Sequence, residues 1–157
     1  RSELERMVDI SSPVLKDDVV FVTSFQGRAA ALSRGTGRSL WQQDVSSYQP
    51  PGVGDDAVFV TQANDEVKAL SSNSGQVSWD NVKMTYRQLT APAYAKGYVA
   101  VGEAEGYLHV LSATDGEYLG RRKVDGSGLR LPLISDGQLI YVLDNDGDLT
   151  AFDITGI

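Results

Sequence analysis

Four copies of one apolar strand recur along this chain at nearly constant spacing. They are Val20-Phe21-Val22-Thr23, Val58-Phe59-Val60-Thr61, Val99-Ala100-Val101-Gly102 and Ile140-Tyr141-Val142-Leu143, with starts 38, 41 and 41 residues apart. Each is followed by a turn: Gln26-Gly27, Asn64-Asp65, Glu105-Gly106 and Asp146-Gly147. A second strand then carries Ala31-Leu32, Ala69-Leu70, Val110-Leu111 and Ala151-Phe152, and a second turn ends at Gly37, Gly75, Gly116 and Gly156. Trp41 and Trp79 sit four residues beyond that glycine, and Gly120 takes the same place in the third repeat. A period near 40 residues with several short strands per repeat is the signature of a β-propeller. No segment keeps the 3.6-residue apolar period of a helical solenoid.

The expected fold is therefore all-β, with about four four-stranded antiparallel blades near residues 10–45, 51–82, 91–124 and 131–157. In the first blade, strand A lies near Pro13–Leu15, B over Val19–Ser24, C over Arg28–Ser33 and D over Ser39–Val45. The last blade ends before an outer strand is reached. Gly, Asn and Asp at the turns suit the left-handed backbone that tight hairpins require. Each Trp reads as an apolar anchor between adjacent blades.

Strands in a blade alternate in direction, so the B–C turns and the D-to-A connections leave on one face. That face carries the longer loops: 1–12, 46–51, 83–91 and 125–131. Longer loops on a rigid scaffold are the better place to look for binding, and this set holds Arg6, Asp9, Tyr48, Tyr86, Arg87 and Arg130. Arg and Tyr are common interface anchors.

Composition removes several function classes. The formal charge is −7 and the basic residues are scattered, against nucleic acid as a partner. The Arg121-Arg122-Lys123 run reads as a solvated outer strand. No cysteine is present, which excludes thiolate metal sites and a Cys nucleophile. His109 is the only histidine, so no His-based metal cluster can form; it reads as an outward-facing or satisfied sheet residue. Asp144-Asn145-Asp146-Gly147-Asp148 lacks the EF-hand pattern, and Gly126-Ser127-Gly128 is too short for a nucleophile elbow and reads as a flexible inter-blade connection. Glu103 and Glu105 read as solvated loop acids. No apolar run approaches membrane-spanning length. No catalytic residue, metal or cofactor is expected.

Ala151-Phe152-Asp153-Ile154-Thr155-Gly156 resembles the repeat of quinoprotein-type propellers, as do Ala31 through Trp41 and Ala69 through Trp79, where Ser33 and Ser71 replace an Asp. A closer resemblance runs through residues 3–13, Gln62-Ala63-Asn64-Asp65-Glu66-Val67, residues 87–92, residues 101–108 and Lys123-Val124-Asp125-Gly126-Ser127-Gly128. These stretches resemble the BamB family, the propeller lipoproteins of the outer-membrane β-barrel assembly machinery. The resemblance implies the C-terminal half of an eight-bladed ring, trimmed from a longer protein whose lipid-bearing Cys anchors it to the periplasmic face of the outer membrane. It implies a non-catalytic scaffold that docks the POTRA domains of BamA, with the connection at Val8-Asp9-Ile10 in the docking surface; Ser11 stands where the family often has a second Asp. Arg6, Asp9, Tyr86 and Arg87 are the expected partner-binding residues. The rival readings are a quinoprotein dehydrogenase fragment and a general peptide-binding propeller that takes unfolded outer-membrane protein strands on an open sheet edge. A half-ring is also expected to self-associate through its uncovered flanks.

Overall fold

The computed structural model describes residues 10–124 and 126–156. They form four antiparallel sheets, each built from strands consecutive in sequence. Blade 1 holds β1 (Val14–Lys16), β2 (Val19–Thr23), β3 (Gly27–Ser33) and β4 (Ser39–Val45). Blade 2 holds β5 (Gly52–Val53), β6 (Ala57–Thr61), β7 (Val67–Ser71) and β8 (Val77–Asn81). Blade 3 holds β9 (Ala93–Ala95), β10 (Tyr98–Gly102), β11 (Tyr107–Ser112) and β12 (Tyr118–Lys123). Among the described residues, blade 4 holds β13 (Ile134–Ser135), β14 (Ile140–Leu143) and β15 (Leu149–Phe152), with β15 as its outermost strand. The fold is a β-propeller. Its innermost strands β1, β5, β9 and β13 line a cleft of roughly 650 Å³.

The core lies between blades, because alternate residues of each strand point to opposite flanks. Phe21, Ala31 and Trp41 of blade 1 pack on Val58, Val60 and Leu70 of blade 2. One repeat later, Phe59, Ala69 and Trp79 pack on Val99, Val101 and Leu111. The third junction packs Ala100, Leu108 and Val110 on Ile140, Val142 and Phe152. The strand repeat thus sets the packing repeat.

The C–D turns explain the Gly–Trp spacing. Gly37, Gly75 and Gly116 have φ of 69°, 74° and 72°, and each donates its N–H to the carbonyl of Ser33, Ser71 or Ser112 at 2.8–2.9 Å. A side chain at Gly75 or Gly116 would also collide with an indole, since a Cβ there would lie 2.4 Å from Trp41 or Trp79. Each indole reaches the next blade and donates Nε1–H to a turn carbonyl, Ser72 at 2.7 Å and Ala113 at 2.9 Å. Gly156 departs from the expected pattern: it closes a short 3-10 turn, Ile154–Gly156, without a left-handed φ. The Ala151-to-Gly156 stretch is one residue shorter than its three counterparts, so the same turn cannot close.

Candidate functional site

The B–C turns and D-to-A connections do share one face, and hydrogen bonds tie them together. Ala63 N–H bonds Ser46 O at 2.8 Å, Tyr86 N–H bonds Asn64 O at 3.2 Å, and Asn145 N–H bonds Gly128 O at 3.1 Å. Thr23 and Thr61, at the ends of β2 and β6, donate their hydroxyls to the carbonyls of Gln49 and Thr90 in the following connections.

The β8–β9 connection is held most firmly. Asp65, at the B–C turn of blade 2, accepts from Gln88 N–H at 2.8 Å and Leu89 N–H at 2.9 Å. Asn81 caps its start by accepting from Lys83 N–H, and Met84 and Leu89 are buried between blades 2 and 3. These anchors fix two non-glycine residues in the left-handed region, Tyr86 at φ 63° and Gln88 at 57°. Such conformations persist only where the surroundings over-determine them, and they concentrate at functional sites. Tyr86 is the outcome: the residue stands 84% exposed at the loop's tip.

Arg87, the neighbouring candidate, turns inward. Its Nη1 donates to Glu103 Oε2 at 3.2 Å, while its side chain remains 44% exposed. Glu103 corrects the sequence expectation: it is not a solvated loop acid but is only 2% exposed. The β8–β9 connection covers it, with Leu89 bridged to its backbone. Glu105 is exposed as expected. His109 is also buried, with Nε2 2.8 Å from Glu103 Oε2 and Nδ1 3.1 Å from the Tyr118 hydroxyl. The Nε2 contact is close but lacks hydrogen-bond alignment, and Glu103 Oε1 has no hydrogen-bond partner among the described residues. Burial holds the His109 imidazole below its ordinary value, outweighing the upward pull of the Glu103 carboxylate. The ring is thus held between the Tyr118 hydroxyl on its Nδ1 side and the Glu103 carboxylate on its Nε2 side.

Two further features of this face were not legible as such. Phe25 and Tyr48 stack at 4.0 Å between the first B–C turn and the next connection. Beside them is a cleft of about 330 Å³ whose lining includes Tyr48, Gln62, Asp65, Gln88, Leu129 and Arg130. The 126–128 segment is not the flexible joint expected of Gly-Ser-Gly. Asn145 bonds Ser127 O and Gly128 O, and Gly128 sits at φ 94°, where a Cβ would lie 2.1 Å from Ala104 O. Arg6 and Asp9 lie outside the described residues. No cluster of three or more His, Cys, Asp or Glu that could hold a metal occurs among the described residues.

The family model described as outer membrane protein assembly factor BamB matches residues 1–81 and 83–156. A BamB of Pseudomonas aeruginosa is 43% identical over 155 residues, covering 98% of this chain and 41% of that relative. The crystal structure of BamB from Moraxella catarrhalis superposes with a TM-score of 0.83 at 28% identity, over 92% of this chain and 43% of that one. A quinohemoprotein alcohol dehydrogenase from Comamonas testosteroni matches with a TM-score of 0.68 at 17% identity, which shows a shared fold alone. The chain spans about two fifths of the length of the curated relatives it matches. With the repeat, the blade packing and this family match in agreement, the chain belongs to the BamB family of outer membrane protein assembly factors.

Proposed function

We propose that this chain is a non-catalytic docking half-ring of the outer-membrane β-barrel assembly machinery, at the periplasmic face of the outer membrane, that binds the POTRA domains of BamA through its connection face and so aids outer-membrane protein insertion. The observation that carries the reading is the pinned β8–β9 connection. Three anchors, the Asp65 cap, the Arg87–Glu103 pair and buried Met84, hold Tyr86 outward in a left-handed conformation. Pre-organisation of this kind lowers the ordering cost of binding, and tyrosine is a frequent hot-spot residue. The names of the relatives support a role in assembly. Tyr86 is assigned the contact itself, and Arg87 supports the loop while offering the free side of its guanidinium. Arg6 and Asp9 extend the same surface in this reading.

Binding of purified POTRA domains, followed by interferometry, tests it. Tyr86→Ala is expected to weaken binding about tenfold, about 1.4 kcal/mol, and to leave the thermal midpoint unchanged. Asp9→Lys is expected to weaken binding likewise. Unaltered affinity in both variants would overturn the reading.

A further inference from the structure

The outer strands of the three complete blades differ at corresponding positions. In register, Trp41, Trp79 and Gly120 oppose Ala31, Ala69 and Val110. The residues that follow are Gln42-Gln43-Asp44 in β4, Asp80-Asn81-Val82 at the end of β8 and just beyond, and Arg121-Arg122-Lys123 in β12. Blade 3 alone carries a cationic run there, in a protein of net charge −7.

All three cations are exposed. None has a carboxylate partner among the described residues. Arg121 and Lys123 each lie 4.4 Å from the centre of the Tyr107 ring, and Arg122 lies 5.4 Å over Phe152. Lys123 Nζ also bonds Glu105 O. The rings hold the side chains in place and leave the guanidinium edges free to donate. By alternation, Arg121 and Lys123 flank one side of the strand and Arg122 the other.

β12 is also the outermost strand of its sheet, so one row of its backbone donors and acceptors faces outward. Gly120 lies within it, and nothing stands within 4 Å of where a Cβ would be. A glycine inside a strand is a place where another backbone can come close.

We propose that the free edge of β12 is a docking site for an extended, acidic segment of a partner polypeptide, which adds to blade 3 as a fifth strand. Main-chain hydrogen bonds to β12 supply the register, as in other strand additions. Consecutive acids on the incoming strand meet Arg121, Arg122 and Lys123 in turn, because the three cations alternate about the strand. A run of acids is therefore preferred over an alternating pattern. The edge is on the rim of the blade, apart from the connection face, so this site stands or falls independently of POTRA docking.

The test uses the 157-residue chain and a fluorescein-labelled hexapeptide, capped at both ends, of sequence Val-Glu-Asp-Glu-Val-Thr, followed by anisotropy. Saturable binding is expected, weakened at least fivefold when salt rises from about 50 to about 500 mM, as solvent-exposed charge pairs require. The variant Arg121→Glu, Arg122→Glu, Lys123→Glu should bind at least tenfold more weakly with an unchanged thermal midpoint. The neutral variant Arg121→Gln, Arg122→Gln, Lys123→Gln should fall between, and it preserves the test should charge reversal disturb folding. A peptide with lysines for the acids should not bind, and one N-methylated at alternate residues should lose at least tenfold. The proposal is overturned by absence of saturation at millimolar chain, by equal binding of the lysine peptide, by equal binding to the neutral variant, or by full affinity of the N-methylated peptide.

Discussion

Removing the Arg87 guanidinium tests whether the buried carboxylate beneath the β8–β9 connection has the role its geometry implies. Glu103 is 2% exposed, and Arg87 is the cation bonded to it, at 3.2 Å. Arg87→Ala leaves that carboxylate buried beside a histidine that burial keeps neutral. Breaking a buried pair from one side costs about 3–5 kcal/mol. The Arg87 side chain is 44% exposed, so solvent already screens part of the attraction and the lower end, about 3 kcal/mol, applies. Glu103→Ala behaves differently, because the freed guanidinium returns to water and the carboxylate's desolvation penalty disappears with it. Its cost is the lost charge-assisted bond, about 1.5 kcal/mol. The double variant should then be more stable than Arg87→Ala alone, by about 1 kcal/mol or more. Urea unfolding of the four proteins measures this as a double-mutant cycle. At roughly 2–4 °C per kcal/mol for a chain of this size, Arg87→Ala should lower Tm by about 6–12 °C. The reasoning fails if Arg87→Ala costs under about 0.5 kcal/mol, or if the double variant is the least stable of the four.

Because the His109 pKa is depressed in the folded state, the unfolded chain binds the extra proton first as pH falls below the ordinary imidazole value near 6.5. Stability should be full above that value and decline on acidification toward the lower folded pKa; His109→Gln should flatten that part of the stability–pH curve. Trp79→Ala should cost about 3–5 kcal/mol in urea unfolding, since it empties the blade 2–3 junction and removes the bond to Ala113 O. The isolated chain should self-associate across a concentration series in light scattering. Leu149 is 69% exposed at the place where Val67 and Leu108 are fully buried, and Leu15 and Leu40 lie more than half exposed on blade 1. Replacing Leu149 and Leu40 by Lys should shift the chain toward monomer, and a monomer at high concentration before substitution would refute the idea.

Much of the architecture was legible because it rests on local rules that repeat. Alternating Val-Phe-Val strands, turn residues able to take positive φ, and the Gly–Trp spacing each act within one repeat or between neighbours. Their recurrence at 38 to 41 residues left one fold that buries the apolar stripes at the three blade junctions. Parity of the strands likewise placed Tyr86 and Arg87 on the connection face, since antiparallel pairing alone decides it. What local rules could not reach was what covers a given residue. Glu103 looks like any turn acid until the connection ending at Leu89 folds over it and Arg87 arrives from sixteen positions away. His109 becomes an interior residue for the same reason, lying on the blade flank that meets Met84 and Leu89 rather than solvent. The Gly-Ser-Gly segment reads as flexible, yet Asn145 of the next blade fixes it. Sequence by itself determined the blades, their order and which loops share a face, because those follow from backbone periodicity. Tertiary structure alone decided which charges are buried and which loop is rigid, because burial and pinning depend on a neighbouring blade that no local pattern encodes.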